Sequence, residues 1–167
     1  ADRVGRGMLL TCQDLGKIAG ENPAENIKNI SFEDITKEAD RLNGVHKEIA
    51  GKKGDIHPDE LINIIRQSMW ETVMIVRNEE TLKRNLNVLK EVNDQVKNLK
   101  IESAQEIRKY YELKNMLLVG EMITRACLTR KESRGSHYRE DYPESSDEWL
   151  KFIKIYKDHD DMAVSVL

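Results

Sequence analysis

Apolar residues recur along most of this chain at the three- and four-residue spacing that forms one face of a helix. The clearest repeats fall in three consecutive segments, which we expect to be long helices. Their apolar-face positions are Leu61, Ile65, Met69 (or Ser68), Thr72 and Val76; Leu82, Leu86, Leu89, Val92 (or Asn93), Val96 and Leu99; and Ile107, Tyr110, Tyr111, Met116, Leu117, Val119, Met122, Ile123, Ala126 and Cys127. The third segment has the widest apolar face, so we expect it to be the most buried.

Residues at the starts of these segments fit helix N-termini. Pro58 suits the first turn of the first helix, and Asn78 can cap the second. Ser103 and Glu106 form a capping box before the third. Because the connections are short, neighbouring helices should be antiparallel, which predicts an up-down-up bundle similar to a spectrin repeat.

The helical pattern ends near the polar C-terminal part of the chain. The third helix is predicted to run from Ala104 to about Lys131, with Gly135 at the position of a helix C-cap. Beyond it, residues 145–150 read as a short turn, "FIKIY" as a strand, and "DHDD" as a hairpin turn before a second short strand. The fold class is therefore mainly α, with a short irregular and β segment at the C-terminus.

Two weaker helical patterns precede the bundle. The first has its apolar face between Leu9 and Ala19, and the second begins at Ser31, with Asp34 at the capping-box position. The segment from Gly51 to Pro58 is the clearest linker, because glycines punctuate it.

Composition and charge exclude several functional classes. The chain has 167 residues, 39% of them apolar and 34% charged, with a net charge of −3. A negative net charge argues against nonspecific nucleic-acid binding, and no apolar run approaches the length of a membrane span. The two cysteines, Cys12 and Cys127, lie in helical patterns without a disulfide framework, so we expect both to be small buried residues.

The residues provide no recognisable self-contained active site. The four histidines are scattered, no Cys/His spacing matches a zinc site, and "DHDD" lacks the glycine and terminal glutamate of a calcium loop. No phosphate-binding loop, dinucleotide fingerprint or nucleophile–base spacing is present. The sequence therefore predicts no metal site and no catalytic centre built from this chain alone.

One polar run contains more charged and polar residues than helix capping can explain. "TRKESRGSHYREDYPESSDEWLKF" resembles the C-terminal signature of the succinate dehydrogenase and fumarate reductase flavoprotein subunits and of L-aspartate oxidase. The matching residues are Arg130, Lys131, Glu132, Ser133, Arg134, Gly135, His137, Arg139, Asp141, Pro143, Asp147 and Trp149. "MWETVMIVRNEETL" resembles the helical domain of the same family.

The N-terminal stretch resembles the end of that family's FAD-binding domain. "ADRVGRGMLLTCQDLGKIAGE" matches the family segment without a gap. The resemblance implies that Arg3 binds a substrate carboxylate, and that Met8 and Leu9 contact the flavin. Gly7 and Met8 replace the usual Asn-Ser pair, so the flavin contacts would come from the backbone.

The resemblance implies a function for the whole polypeptide. It is hydride transfer between FAD and a dicarboxylate, with this chain supplying the helical domain and one wall of the site. The polar run would be a strip that docks on the flavin domain. Its residues are Arg130, Glu132, Ser133, Arg134, His137, Arg139 and Asp141.

The resemblance also implies an organisation. Residues 1–30 would end an FAD-binding domain, residues 31–135 form the bundle, and residues 136–167 form the docking segment. The chain opens with Ala1, and we expect a fragment of a longer polypeptide, inactive by itself. The upstream flavin domain and an iron–sulfur subunit are the expected partners, in the cytoplasm or at the inner face of the membrane.

A second hypothesis stays open on the residues alone. A free-standing helical bundle that binds proteins through a helix face explains the three middle helices, but it gives no role to residues 3–9 or 133–142. The two hypotheses differ in solution behaviour. An interaction module should be monodisperse, whereas a fragment should expose the apolar face between Leu9 and Ala19 and self-associate.

Overall fold

A computed structural model describes residues 13–22, 32–159 and 161–167. The chain divides into two compact units, Ala1–Lys47 and Glu48–Leu167. In the first unit, α1 occupies residues 13–22, and most of α2, Phe32–Ala50, follows. Leu15 and Ile18 on α1 are exposed. The predicted cap at Ser31 lies outside the described residues.

The second unit is built around three helices. They are α3, Pro58–Val73; α4, Glu79–Gln95, extended by a 3₁₀ turn at Val96–Asn98; and α5, Ala104–Thr129. Ser68, late in α3, contacts Asn85, early in α4, and Asn85 contacts Thr124, late in α5. These contacts make successive helices antiparallel, which confirms the predicted mainly helical fold.

The apolar faces of the three helices form the core of this unit. Burying such side chains contributes about 1.5–3 kcal/mol each, so this core is the main source of its stability. The buried apolar residues of these helices are Leu61, Ile62, Ile65, Val73, Leu82, Leu89, Val92, Leu113, Leu117 and Cys127.

A buried polar node fixes the register of the three helices. Asn85 is fully buried; its amide oxygen accepts a hydrogen bond from Ser68 Oγ at 2.6 Å, and its Nδ2 donates to Thr124 Oγ1 at 2.8 Å. Thr124 Oγ1 donates in turn to the Gly120 carbonyl at 2.6 Å. Sliding one helix would leave buried polar groups unpaired, which is costly.

The predicted helix starts are confirmed. Pro58 occupies the first turn of α3, the Asn78 side chain accepts from the Thr81 amide, and the Ser103 side chain accepts from the Glu106 amide. The linker before α3 packs closely on the 3₁₀ turn. A Cβ on Gly54 would lie 1.8 Å from the Asn98 carbonyl oxygen, so only glycine fits there.

Three expectations about helix ends and burial are wrong. Val76 leaves the α3 face because α3 ends at Val73 and the β-branched residues after it pair with a later strand. Gly135 does not cap α5, which ends at Thr129; its φ of 60° serves a tight turn between Arg134 and His137.

The third concerns α5, which is not the most buried helix. It buries five of its 26 residues, whereas α3 buries six of 16, because its apolar face is wider than α3 and α4 can cover.

Two small sheets complete the unit. Strand β1, Val76–Arg77, pairs in parallel with β2, Tyr138–Arg139. Strand β3, Ile153–Asp158, pairs antiparallel with β4, Asp161–Val166, which confirms the predicted C-terminal strands and their hairpin turn. None of the helices in the described part of the chain combines the length and apolarity needed to cross a membrane.

Candidate functional site

The polar run after α5 folds back on the end of that helix, and we call Arg130–Tyr142 the clasp. Arg139 lies at its centre and is fully buried. Its Nη1 donates to the Cys127 carbonyl at 2.7 Å and to the Leu128 and Arg130 carbonyls at 3.3 Å each. The last carbonyls of a helix have no partner within it and carry partial negative charge, so Arg139 caps α5 both by hydrogen bonds and by charge.

Asp141 completes the pairing of Arg139. Its two carboxylate oxygens accept from Nε and Nη2 of Arg139, each at 2.7 Å, and Oδ2 also accepts from the Glu79 amide at 3.0 Å. Glu79 is the first residue of α4, where a negative charge is favourable. Hydrogen bonds from Arg139 and from the Glu79 amide lower the pKa of Asp141 to about 2. One ion pair therefore joins the C-terminus of α5 to the N-terminus of α4.

A second ion pair closes the base of the clasp. Glu132 is fully buried, and its carboxylate accepts from Arg134 at 3.0–3.2 Å, from Arg130 Nη1 at 2.6 Å and from the Ser146 amide at 3.0 Å. Hydrogen bonds from Arg134, then from the Ser146 amide and Arg130, lower the pKa of Glu132 to about 2 despite burial. Arg130 also donates to the Trp149 carbonyl at 2.9 Å, which ties in the 3₁₀ turn Asp147–Trp149.

Ser133 connects the start of the clasp to its end through hydrogen bonds to the backbone. Its Oγ accepts from the Arg139 amide at 2.8 Å and donates to the Tyr142 carbonyl at 2.8 Å. Its amide donates to the Glu144 carbonyl at 3.0 Å. This small side chain therefore satisfies backbone groups that the irregular turn leaves without sheet partners.

His137 is held in one tautomer by its two neighbours. Arg77 Nη1 lies 2.7 Å from Nδ1, and the Arg130 carbonyl oxygen lies 3.2 Å from Nε2. A guanidinium only donates and a carbonyl only accepts, so Nδ1 is the acceptor and Nε2 carries the proton. Burial, together with the nearby charges of Arg77, Arg139 and Arg130, lowers the pKa of His137.

Cys127 meets the expectation of a buried thiol. It is free and buried, Arg77 Nη1 lies 2.9 Å from its Sγ, and burial raises its pKa. Cys12 lies outside the described residues. Within residues 13–22, 32–159 and 161–167, no group of three or more His, Cys, Asp or Glu side chains is arranged to hold a metal ion.

The structure brings together all seven predicted residues of the docking strip. The sequence predicts partners in another domain for their charges, but the structure pairs Arg139 with Asp141, and Glu132 with Arg130 and Arg134. A contact of the clasp with a flavin domain stays a prediction. The other predicted site residues, Arg3, Met8 and Leu9, lie outside the described residues.

Sequence reasoning missed Arg77, which connects β1, α5 and the clasp. It lies between the end of α3 and the Asn78 cap, in a stretch that reads as part of a helix followed by a connection. Arg77 follows the apolar Ile75 and Val76 and precedes the Asn78 cap. This position in the sequence could have indicated a partly buried arginine with polar contacts.

Two of the clasp's carboxylates, Glu132 and Asp141, are paired with arginines, whereas Glu140 is exposed and accepts a hydrogen bond from Asn78 Nδ2 at 2.9 Å. The buried ion pairs of the clasp therefore have a structural role.

We predict that Arg139→Met destabilises the second unit by about 3 kcal/mol, because it leaves Asp141 and the α5 carbonyls without their partner. The exposed Arg66, which pairs with Glu112 at 3.1 Å, provides a matched control, and Arg66→Met should cost less than about 1 kcal/mol. Urea unfolding followed by tryptophan fluorescence measures both. Equal losses would contradict the capping role of Arg139.

Stability should fall in two stages as the pH falls. The pKa of His137 is lowered from 6.5 in the folded chain, so the unfolded chain takes up a proton first and stability declines below about pH 6.5. Glu132 and Asp141, ordinarily at 4.5 and 3.8, titrate at about 2 when folded, so their contribution is lost between those values and about pH 2.

The variant His137→Asn separates the two stages. Its amide oxygen can still accept from Arg77, but it does not titrate, so the decline that begins near pH 6.5 should shrink while the acid stage remains. Thermal unfolding from pH 8 to pH 3 measures this. An unchanged upper stage would contradict the assignment to His137.

Two known proteins are similar in sequence to most of this chain. An FAD-dependent oxidoreductase of Methanocaldococcus jannaschii is 40% identical over 155 residues, which are 93% of this chain and 29% of that protein. A fumarate reductase (CoM/CoB) subunit of Methanothermobacter marburgensis is 31% identical over 159 residues, again 93% of this chain and 29% of that protein. The chain thus spans less than a third of the length of these relatives.

The fold also matches a solved structure. FrdA of the E. coli quinol fumarate reductase superposes with a TM-score of 0.75 over 90% of this chain and 28% of that one, at 24% identity. A family model described as the fumarate reductase flavoprotein C-terminus matches residues 63–166, which include α4, α5, the clasp and the C-terminal hairpin. The chain therefore belongs to this family, and it is a flavoprotein C-terminal domain of the fumarate reductase and succinate dehydrogenase type.

Proposed function

We propose that this chain is the C-terminal part of an FAD-dependent oxidoreductase of the fumarate reductase and succinate dehydrogenase type. The reaction is hydride transfer between FAD and a dicarboxylate. The family match over residues 63–166 carries the proposal. The clasp, which carries the family's C-terminal signature, supports it, because its buried ion pairs hold the chain together. The chemistry therefore belongs to a flavin-binding part of a longer polypeptide.

The proposal assigns roles at both ends of the chain. Arg3 binds a carboxylate of the substrate, since a guanidinium donates two parallel hydrogen bonds to a carboxylate. Met8 and Leu9 contact the flavin through their backbone. FAD, when bound, supplies the acceptor or donor of the hydride. In this proposal the chain contributes one wall of a site shared with the flavin-binding part.

Further subunits are part of the proposal. The relative from Methanothermobacter marburgensis is named as one subunit of a fumarate reductase, which implies assembly with other chains. We assign this chain an iron–sulfur partner that passes electrons to or from the flavin, and a cytoplasmic location at the inner face of the membrane reached through partner subunits.

The native mass of the polypeptide tests this proposal. We expect an antibody against this chain to detect a band several times heavier than 19.3 kDa in the source cells, and the purified band to be yellow with FAD. A native band of 19.3 kDa without flavin would contradict the proposal and favour a free-standing interaction module.

Arg3→Ala in the full-length flavoprotein should abolish turnover with dicarboxylates while FAD stays bound, because only a substrate contact is lost. Loss of an Arg–carboxylate contact made to the reacting substrate is worth about 2–5 kcal/mol, so kcat/KM should fall by about 30-fold to several thousandfold. Flavin absorbance measures the bound FAD. Arg66→Ala, on the exposed face of α3, is the control and should leave turnover unchanged. Retained turnover in Arg3→Ala would refute the role of Arg3.

A further inference from the structure

One side chain, that of Arg77, ties the short strand β1 to the clasp. Its Nη1 donates to His137 Nδ1 at 2.7 Å and lies 2.9 Å from Cys127 Sγ. Its Nε donates to the Met74 carbonyl at 2.6 Å, which holds the turn between α3 and β1. A single guanidinium therefore joins the end of α3 to α5 and to the clasp.

Little else holds β1 against β2. The two strands pair in parallel over two residues, with the Tyr138 amide donating to the Ile75 carbonyl at 3.1 Å and the Glu140 amide to the Arg77 carbonyl at 2.9 Å. So short a pair has little stability of its own. Val76 is 55% exposed, so its burial adds little more. The position of β1 therefore depends on the contact between the guanidinium and the clasp.

This contact exists only while the imidazole of His137 is neutral. A guanidinium has no acceptor, so the lone pair of Nδ1 must receive the N–H of Arg77. A proton on Nδ1 would place the N–H groups of two cations against each other at 2.7 Å. The hydrogen bond would be lost, and repulsion between like charges would replace it.

No acidic group near the ring offsets this repulsion. The charged side chains that act on His137 are those of Arg77 from β1, Arg130 from the end of α5 and Arg139 from β2, and all three are cations. The Cys127 thiol of α5 is neutral, because burial raises its pKa. In the part of the chain that the structure describes, no carboxylate forms an ion pair with the imidazole, since those of the clasp's buried pairs are held by arginines.

We propose that the contact between Arg77 and His137 is a latch that acid releases. When His137 binds a proton, the guanidinium leaves the ring, the turn after α3 loses its hydrogen bond, and β1 separates from β2. The ion pair of Arg139 with Asp141 and the Glu79 amide bound to Asp141 stay in place, because neither makes a hydrogen bond to the ring. The opening is therefore confined to the segment between α3 and α4. It is a local change in a folded chain, distinct from the loss of global stability.

Hydrogen exchange at single-residue resolution in the native polypeptide tests the latch. The amides of Tyr138 and Glu140 donate across to β1 and report its opening. The Arg139 amide lies between them in sequence but donates to Ser133 Oγ, so it reports any wider opening of the clasp. Rates are compared with those of an unstructured peptide at the same pH. Low concentrations of urea separate the two kinds of opening, since a local one exposes little surface.

We expect the protection of the Tyr138 and Glu140 amides to fall about tenfold between about pH 7.5 and about pH 5.5, with little dependence on urea. The reason is that opening returns His137 to its ordinary pKa of 6.5, so acid favours the opened state. The Arg139 amide should be better protected at both pH values, and its exchange should depend strongly on urea.

Two variants assign the effect to one histidine. His137→Asn keeps an acceptor for Arg77 but does not titrate, so the fall in protection should disappear. His159→Asn is the matched control, because the His159 side chain is 95% exposed and asparagine tolerates its φ of 55°. This control should behave as wild type.

Three results would overturn the latch. The first is protection of the Tyr138 and Glu140 amides that does not change with pH. The second is protection equal to that of the Arg139 amide with the same dependence on urea, because β1 would then open only by global unfolding. The third is an undiminished fall in His137→Asn. The first two comparisons use the wild-type chain, so they decide the question even if the variant folds poorly.

Discussion

The ion pair between Arg139 and Asp141 is the interaction on which the clasp and the facing ends of α4 and α5 depend. A helix end leaves backbone groups without partners, and burying them unpaired is costly. Here one arginine serves the last carbonyls of α5, and the aspartate two residues later serves the first amide of α4. Each charge also has the sign that its helix end favours. Because both residues belong to one short segment, the two helix ends and the clasp are fixed by a single local structure.

The surrounding features follow from this pair. With Arg139 in place, β2 lies beside β1, His137 meets Arg77, and Ser133 closes the turn. The buried Glu132 and Arg139 and their ion-pair partners hold the clasp together, which explains why a segment so rich in ionisable groups is well ordered. A C-terminal domain of a flavoprotein needs a rigid surface rather than an active site of its own.

Periodicity and capping residues were enough to predict the three helices, their antiparallel order and the C-terminal hairpin. The caps at Asn78 and Ser103 are predictable because a capping side chain bonds an amide only three residues away in the sequence. The rest depends on contacts that sequence spacing does not encode. Arg139 and Asp141 are two residues apart, and this spacing alone does not predict an ion pair. The pair becomes favourable only when the C-terminus of α5 and the N-terminus of α4 lie beside it. Glycine serves both helix caps and tight turns, so the sequence alone predicts a helix end at Gly135 where the structure has a turn. The wide apolar face of α5 signals burial against something, but not whether that partner lies within the chain.

Hydrogen exchange of the clasp amides tests the central claim most directly. The amides of Glu79 and Arg139 donate to Asp141 and to Ser133 Oγ, respectively. If the clasp cannot open without uncapping both helices, these amides should exchange as slowly as those of the buried middle of α5, such as that of Leu117, through the same unfolding event. Exchange faster by about two orders of magnitude or more would show that the clasp opens by itself, and that the bundle does not depend on it.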